Sequence, residues 1–453
     1  MFKKIELWIV ILICLIFFII TIFFGALLKY HYNGGALFPK LRSTAVFLAE
    51  IPFNIKKIEF SFSKSDQLLV QNKSDMPPIL IKHQKKPKFK KYNQKNRDAL
   101  LILPRYDGDK MRSVVDIVDL NNFKTLHTYS HDITAMNNMI DVNNIENKNV
   151  KIDDSEIRFE YRHPLVLSDG SLISHSEYAP LFKIDICSNL VWLNQLERFH
   201  HSNELVEEDK IWVPTQMYPY STTVSNHINE PGFYDDAIAR LDKNGEIEFI
   251  KSVSELLIEN GIKKTNILEI YDPIHLNDIE PARFKSDYWN KNDLFLSLPR
   301  FAVIVQYRPS TNKVIRYIQG PFSWQHDVDI ISEEEISIFN NNNTAVTENN
   351  SEILIYSLKD ENFYKKFNEQ LIEDDFKTDT EGLSEILKDG SMLVEEQNHG
   401  RLIFFNNNGE KEWEYVNKDS KGNIYFISWS RIIEEKNLLT KIKESINNKK
   451  CIN

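Results

Sequence analysis

The chain has 453 residues, 42% hydrophobic and 26% charged, with only 14 Gly and 16 Pro; this excludes collagen-like and wholly disordered chains and leaves room for a large core. A net charge of -10 argues against nucleic acid as the main partner, and three cysteines are too few for a disulfide framework or a Cys-rich zinc site. The charge is split, since residues 1–97 hold 17 Lys and Arg against 5 Asp and Glu whereas residues 98–453 hold 38 against 60.

From Leu7 to Leu28 no residue is charged, and 22 positions at about 1.5 Å each reach roughly 33 Å, enough to cross a bilayer core. Residues 1–30 therefore read as a transmembrane anchor. A cleaved signal peptide is the competing reading, weakened by an apolar run longer than the usual ~7–15 residues and by the lack of a convincing small-x-small cleavage site. Lys3 and Lys4 flank one end and Lys29, Lys40 and Arg42 the other, so the positive-inside rule gives no orientation. Residues 31–97 form a basic stem, densest at Lys82, Lys85, Lys86, Lys88, Lys90, Lys91, Lys95 and Arg97. Pro87 and the missing apolar periodicity make this run read as a solvated linker, with contact to anionic headgroups as the alternative. Cys14 lies in the apolar span; Cys187 and Cys451 read as unpaired thiols, a bridge between them being the alternative.

From residue 98 one pattern returns: an apolar strand ending near Asp or Asn, a short polar turn, then a second apolar strand often bearing Trp or Tyr, which is a hairpin signature. It recurs at Val114–Tyr129, Leu181–Leu196, Ala237–Val253, Val303–Ile318, Ile353–Phe367 and Arg401–Val416. Another pair of apolar runs around an acidic or Gly turn precedes the hairpin, as in His163–Ser174 and Leu383–Val394, so each unit holds four short strands. Such units predict an all-β, six-bladed β-propeller over residues 98–433, preferred to a sandwich or barrel because neither requires a repeated four-strand unit. Asn137–Asp154, Asn340–Asn350 and Glu369–Thr380 read as polar loops and Ser252–Asn260 as a short helix closed by Gly261. Ile424–Ile433 reads as a strand that closes the ring before a charged helical tail, residues 434–453.

Stacking the units brings histidines into register. HSNELVEEDKIWVP from His201 aligns without a gap with HDVDIISEEEISIF from His326, Leu205 matching Ile330 and Ile211 matching Ile336; His275 and His163 have Ile279 and Leu167 at the same offset. A polar residue just ahead of a unit's first strand sits toward the channel mouth, so these side chains should converge; any one alone reads as a satisfied core or surface histidine. There is no HExxH, paired CxxC, GxSxG or Walker A pattern, which leaves metal, serine-hydrolase and nucleotide-driven chemistry without motif support. A neutral imidazole can instead attack a tetrahedral sulfur or phosphorus centre and hold the group covalently, with cations and hydrogen-bond donors around the non-bridging oxygens. His275, Asn277 and Arg300 supply such donors. Trp192, Trp212, Trp413 and Trp429 read as blade packing, while Trp324, beside Gln325 and His326, is the one best placed to meet an aryl ring.

The stretches PIHLNDIE, DLFLSLPRFAVIVQY and WQHDVDIISEEEISIFNNN resemble the bacterial PAPS-independent arylsulfate sulfotransferases in their order: an HxN motif, a strand ending in Arg, and a QH motif before a strand closing in an Asn-containing turn. FHHSNEL, with His200 and His201, is similar to the family's paired-His segment. The resemblance implies that His326 is a nucleophile that becomes a sulfohistidine, and that His201, His275, Asn277 and Arg300 bind the sulfuryl oxygens. His200 is the alternative to His201, which is preferred for its gapless register with His326. The resemblance further implies a periplasmic propeller acting on an aryl sulfate donor and a phenolic or other hydroxyl acceptor, with neither metal nor nucleotide cofactor. The chain departs from the family in keeping an anchor, lacking a closely spaced cysteine pair and carrying a basic stem in place of an N-terminal domain, which leaves acceptor and oligomeric state open. A non-catalytic, membrane-anchored propeller for ligand binding or assembly is the alternative; His, Asn, Arg and His in the family's order count against it.

Overall fold

The computed structural model describes residues 6–32, 41, 44–45, 48–49, 79–92, 96–141, 143, 155–206, 210–228, 233–262, 267–268, 272–342 and 350–451. Most of the stem, and most of the loops expected at Asn137–Asp154 and Asn340–Asn350, lie outside these residues. The uncharged N-terminal run forms α1 (Leu7–Tyr32), whose stretch Leu7–Leu28 has the length and composition that a membrane span and a signal sequence share. Trp8, Leu12, Phe17 and Phe23 are all exposed on it, and a helix apolar on every side with no protein face to cover it needs a non-aqueous surround.

Alternating apolar and polar residues build the rest as short antiparallel strands. In chain order these are β1 (Phe89–Lys91), β2 (Leu100–Asp107), β3 (Arg112–Asp119), β4 (Lys124–Tyr129), β5 (Arg162–Val166), β6 (Leu172–His175), β7 (Ala179–Ile184) and β8 (Leu190–Phe199). They continue with β9 (Glu204–Val206), β10 (Lys210–Gln216), β11 (Asp236–Leu241), β12 (Ile247–Ser252), β13 (Asp278–Pro281), β14 (Leu294–Leu298), β15 (Val303–Arg308) and β16 (Lys313–Gln319). The last are β17 (Val328–Ile330), β18 (Glu335–Asn340), β19 (Glu352–Ser357), β20 (Asn362–Lys365), β21 (Leu383–Ile386), β22 (Met392–Glu396), β23 (Arg401–Phe405), β24 (Lys411–Val416) and β25 (Arg431–Ile433). Each hairpin read from the sequence is present, as β3–β4, β7–β8, β11–β12, β15–β16, β19–β20 and β23–β24.

The arrangement is all-β and propeller-like, but the expectation of six separate blades needs correction. Four sheets are separate and blade-sized: β25-β2-β3-β4, β13 to β16, β17 to β20, and the five-stranded β1-β24-β23-β22-β21. The strands from β5 to β12 instead share one eight-stranded sheet. The cause is local: β9 has only 3 residues, so β10 outruns it, and Thr215 and Gln216 pair with Phe199 and Arg198 at the end of the 10-residue β8. Apolar side chains pack between successive units, Ile117 with Phe182, Ile238 with Leu296, Phe295 with Ile338, Ile355 with Val394, and Leu181 with Val213. Leu101 and Phe404 close the circle between the first sheet and the last.

Several expectations at the chain ends change. The strand expected over Ile424–Ile433 narrows to β25, which pairs with β2 through Leu100 and Ile433. Just before it, the Trp429 and Ser430 backbone N–H groups donate to the buried Glu395 carboxylate at 2.6 and 2.7 Å and so are not free to form a ladder. The basic run is no solvated linker where it is described. Leu80 bridges to Ile424, β1 pairs with β24, and Lys82, His83 and Lys86 pair with Glu396 and Glu414. The charged tail is a docked helix, Lys436–Asn448, that buries Leu439, Ile442 and Ile446 in the cluster holding Ile117 and Phe182. Cys187 and Cys451 are joined by a disulfide, not left as free thiols, which ties this helix to the β7–β8 turn. Part of the loop expected at Glu369–Thr380 is helical (Asn368–Glu373), with Leu371 buried. The helix expected at Ser252–Asn260 is present as Val253–Glu259, capped by the Ser252 hydroxyl.

Candidate active site

The site is assembled where the chain enters successive strand units. His201, His275, Glu381 and Trp429 precede first or closing strands with φ of 59°, 52°, 58° and 55°, and His163 has φ 36°. A left-handed non-Gly residue costs on the order of 1 kcal/mol, so these turns are held by their surroundings. Gly382, at φ 94°, has no room for a side chain: a Cβ there would lie 2.7 Å from carbons of Phe339 and Thr378.

These turns bring the imidazoles together. The His201 ring centroid lies 5.8 Å from that of His275 and 6.0 Å from that of His326, and Trp429 packs 6.1 Å from His201 and 6.5 Å from His326. His326 has both ring nitrogens engaged. Nδ1 lies 2.7 Å from Asn341 Oδ1 and 3.1 Å from the Trp324 carbonyl, while Nε2 accepts the Glu381 backbone N–H at 3.0 Å. Burial pulls the His326 pKa down to about 3, by more than the Asn341 hydrogen bond lifts it, so the ring is neutral at ordinary pH.

His201 is buried and held neutral by desolvation, and its Nδ1 meets His200 Nδ1 at 2.8 Å. His200 lies behind it, its ring 5.0 Å from Tyr178 and its Nε2 3.7 Å from Asp236, so His201 is the member of the pair beside His275 and His326. His275 differs in charge. Its side chain is 25% exposed and its Nδ1 lies 2.6 Å from Asp272. Burial alone would lower its pKa, but the hydrogen bond and charge of Asp272 outweigh that and raise it above the ordinary imidazole value. Arg300, in a tight turn at Pro299–Phe301, reaches the same carboxylate at 3.5 Å and lies over the Trp324 ring at 5.0 Å. Asn277 is fully buried, and its side-chain amide donates to the Gln325 carbonyl at 2.9 Å, gripping the backbone that precedes His326.

Residues 163–418, more than half of the chain, match the family model described as Arylsulfotransferase (ASST). The chain belongs to the arylsulfotransferase family. That membership points to arylsulfotransferase-type activity, and the matched span includes His201, His275, Asn277, Arg300 and His326. No curated protein matches. Similar solved structures include a Bacteroides caccae protein of unknown function (10% identity, 74% of this chain and 100% of that one, TM-score 0.46) and TolB from Acinetobacter baumannii (8%, 75% and 67%, TM-score 0.45). A Staphylococcus aureus virginiamycin B lyase is also similar (12%, 72% and 88%, TM-score 0.36). With TM-scores below 0.5 these likenesses carry no argument.

Around the arylsulfotransferase histidines lie groups that the sequence reading missed. Arg162 is paired with Glu160 at 2.9 Å, with Glu177 at 3.5 Å and with Glu381. Burial raises Glu160 to about 7, with Arg162 opposing and the neighbouring carboxylates adding, and burial also raises Glu177. Asp272, three residues before His275, had a signal in its spacing. Arg162 and Glu381 had none, being 219 residues apart, and Trp429 was read as packing although it lies against the imidazoles. A cavity of about 410 Å³ lies elsewhere in this arylsulfotransferase, between the first and last sheets, lined by Phe89, Phe123, Trp413, Arg105 and Tyr415 among others and by none of these histidines.

Proposed function

We propose that this arylsulfotransferase moves a sulfuryl group from an aryl sulfate to a phenolic or other hydroxyl acceptor through a covalent adduct on His326, without metal or nucleotide cofactor. The observation that carries the reading is a neutral His326 beside His201 and His275, within a family whose name describes this transfer. In the first half-reaction Nε2 attacks sulfur, an N–S bond forms, the S–O bond to the aryl group breaks, and its electron pair leaves on the phenolate. The His275 imidazolium, stabilised by Asp272, gives that oxygen its proton. Arg300 and His201 meet the charge on the three non-bridging oxygens, and Asn277 holds the backbone beside the nucleophile. In the second half the acceptor oxygen attacks the same sulfur, the N–S bond breaks with its pair returning to Nε2, and the acceptor's proton goes to His275. The Glu381 N–H occupies the Nε2 lone pair in the free protein and yields it to sulfur when the donor enters.

The proposal extends to architecture and setting. The β5 to β12 sheet divides at the β8–β10 junction into two four-strand units, and six apolar clusters separate successive units, which supports counting six blades over residues 98–433. Residues 1–30 would anchor the body on the periplasmic side; the Cys187–Cys451 disulfide supports this, because such bonds persist in oxidising compartments.

The test is to incubate the full chain with 4-nitrophenyl sulfate, digest it, and weigh the His326 peptide. A sulfuryl mass on that peptide is expected, lost together with nitrophenol release in His326→Ala. A folded protein that forms neither adduct nor nitrophenol overturns the reading in favour of a ligand-binding propeller.

A further inference from the structure

We infer that Asn341 is a positioning residue that fixes His326 with its proton on Nδ1 and its lone pair on Nε2, a role that rests on the covalent reading above. Asn341 is buried just past the end of β18, and its Nδ2 donates to the backbone carbonyls of Thr378 at 3.0 Å and Glu381 at 2.7 Å. Carbonyl oxygens only accept, so the amide has one orientation, and its Oδ1 is the atom that faces His326 Nδ1 at 2.7 Å. An amide oxygen also only accepts, which places the imidazole proton on Nδ1. The Glu381 N–H leads to the same tautomer from the opposite nitrogen, because a backbone amide must donate and Nε2 must therefore accept. The assignment thus rests on backbone groups whose roles are not interchangeable.

One side chain in this way ties together three stretches of chain: the end of β18, the turn carrying His326, and the segment 378–381 that leads into β21. The Trp324 carbonyl, 3.1 Å from Nδ1, favours the same tautomer, but it lies on the strand of chain that carries His326 itself. Asn341 braces the ring from a different segment. The uncharged amide matters as well. The other polar groups around the ring are His201, His275, Arg162 and the Glu381 backbone, and with them a neutral Asn341 leaves the imidazole uncharged, as a nucleophile must be. A carboxylate in the same place would accept the same proton but would stabilise the imidazolium and consume the lone pair on Nε2.

The test uses the full chain in detergent micelles with 15N-labelled imidazoles, the His326 signals being identified by their loss in His326→Gln. In the wild type they should show a neutral ring, protonated at Nδ1 and bare at Nε2, from pH 5 to pH 8. In Asn341→Asp the His326 titration should move up by about one pH unit or more, and the acid limb of nitrophenol release should move with it. At pH 7 kcat should fall roughly tenfold or more while KM stays within about twofold. A wild-type ring protonated at Nε2, or an Asn341→Asp protein of native circular dichroism with an unmoved titration and pH profile, would overturn the role of Asn341. The wild-type spectrum tests the tautomer even if the variant does not fold. Should His326→Ala keep its turnover, the nucleophile reading fails by that result alone, and the tautomer is still read from the spectrum.

Discussion

At the scale of single residues, the site works by giving chemically identical side chains different charges. His326 and His201 are buried among groups that cannot support a proton, whereas His275 keeps a carboxylate 2.6 Å away and titrates above its ordinary value. Replacing Asp272 by Asn removes the charge and leaves burial in command, so the His275 pKa should fall below the ordinary imidazole value and the alkaline limb of nitrophenol release should move down by about one pH unit or more. A pH profile unchanged in Asp272→Asn would show that the pair carries no proton in the reaction. The histidines were legible from the sequence because a shared repeat register forces a shared direction. Asn341 was visible only as part of an Asn-containing turn, since nothing in residues 340–342 announces which of three asparagines meets a ring 15 residues upstream.

At the scale of elements, the hairpins were readable because strand alternation and turn residues are local. The stem strand was not, because β1 is short and basic and owes its place to partners on β22, β23 and β24. Arg401 is fully buried between Glu396 at 2.7 Å and Glu414 at 3.1 Å, and Lys82 and His83 close on Glu396 at 2.5 and 2.8 Å. Burial would raise the Glu396 pKa, but His83, Arg401 and Lys82 bring it down to about 2. Glu396→Ala should therefore strand a buried guanidinium and cost about 3–5 kcal/mol, while freeing the stem to proteolysis at Lys85 and Lys86. Thermal unfolding with limited trypsin digestion measures both, and a melting temperature within a degree of wild type would show that the network contributes little.

At the scale of the whole molecule, the sheets close because β25 returns to β2 and the C-terminal helix is bolted to the β7–β8 turn by the disulfide. The closed body buries many titratable groups, and their linkage has a definite sign. Burial lowers His127 and His399 to about 4 and His175 and His326 to about 3, so below roughly pH 6.5 the unfolded chain takes up their protons first and stability falls on acidification. Burial raises Glu160, Glu280, Glu385 and Glu395 to about 7 and Asp236 and Asp278 to about 8, so the folded state holds more protons than the unfolded and stability falls as pH rises toward 8. Between roughly pH 4.5 and 6.5 the two sets oppose each other, and above 6.5 the carboxylates act alone. The melting temperature at constant ionic strength should accordingly be nearly level from pH 5 to 6.5 and drop from there to pH 9; a rise above pH 7 would contradict the burial of these carboxylates.

By itself the sequence determined the uncharged helix, the repeated hairpins, the histidine register and the family likeness, because each is a periodicity or motif written within a few tens of neighbouring residues. Only the tertiary structure decided that two units share one sheet, that the stem lends a strand to the last one, that Cys187 meets Cys451, and that Asp272, Asn341, Glu381 and Arg162 surround the imidazoles. Most of these pairings join residues tens to hundreds of positions apart. Their partners are set by the path of the folded chain, and local propensity carries no information about that path.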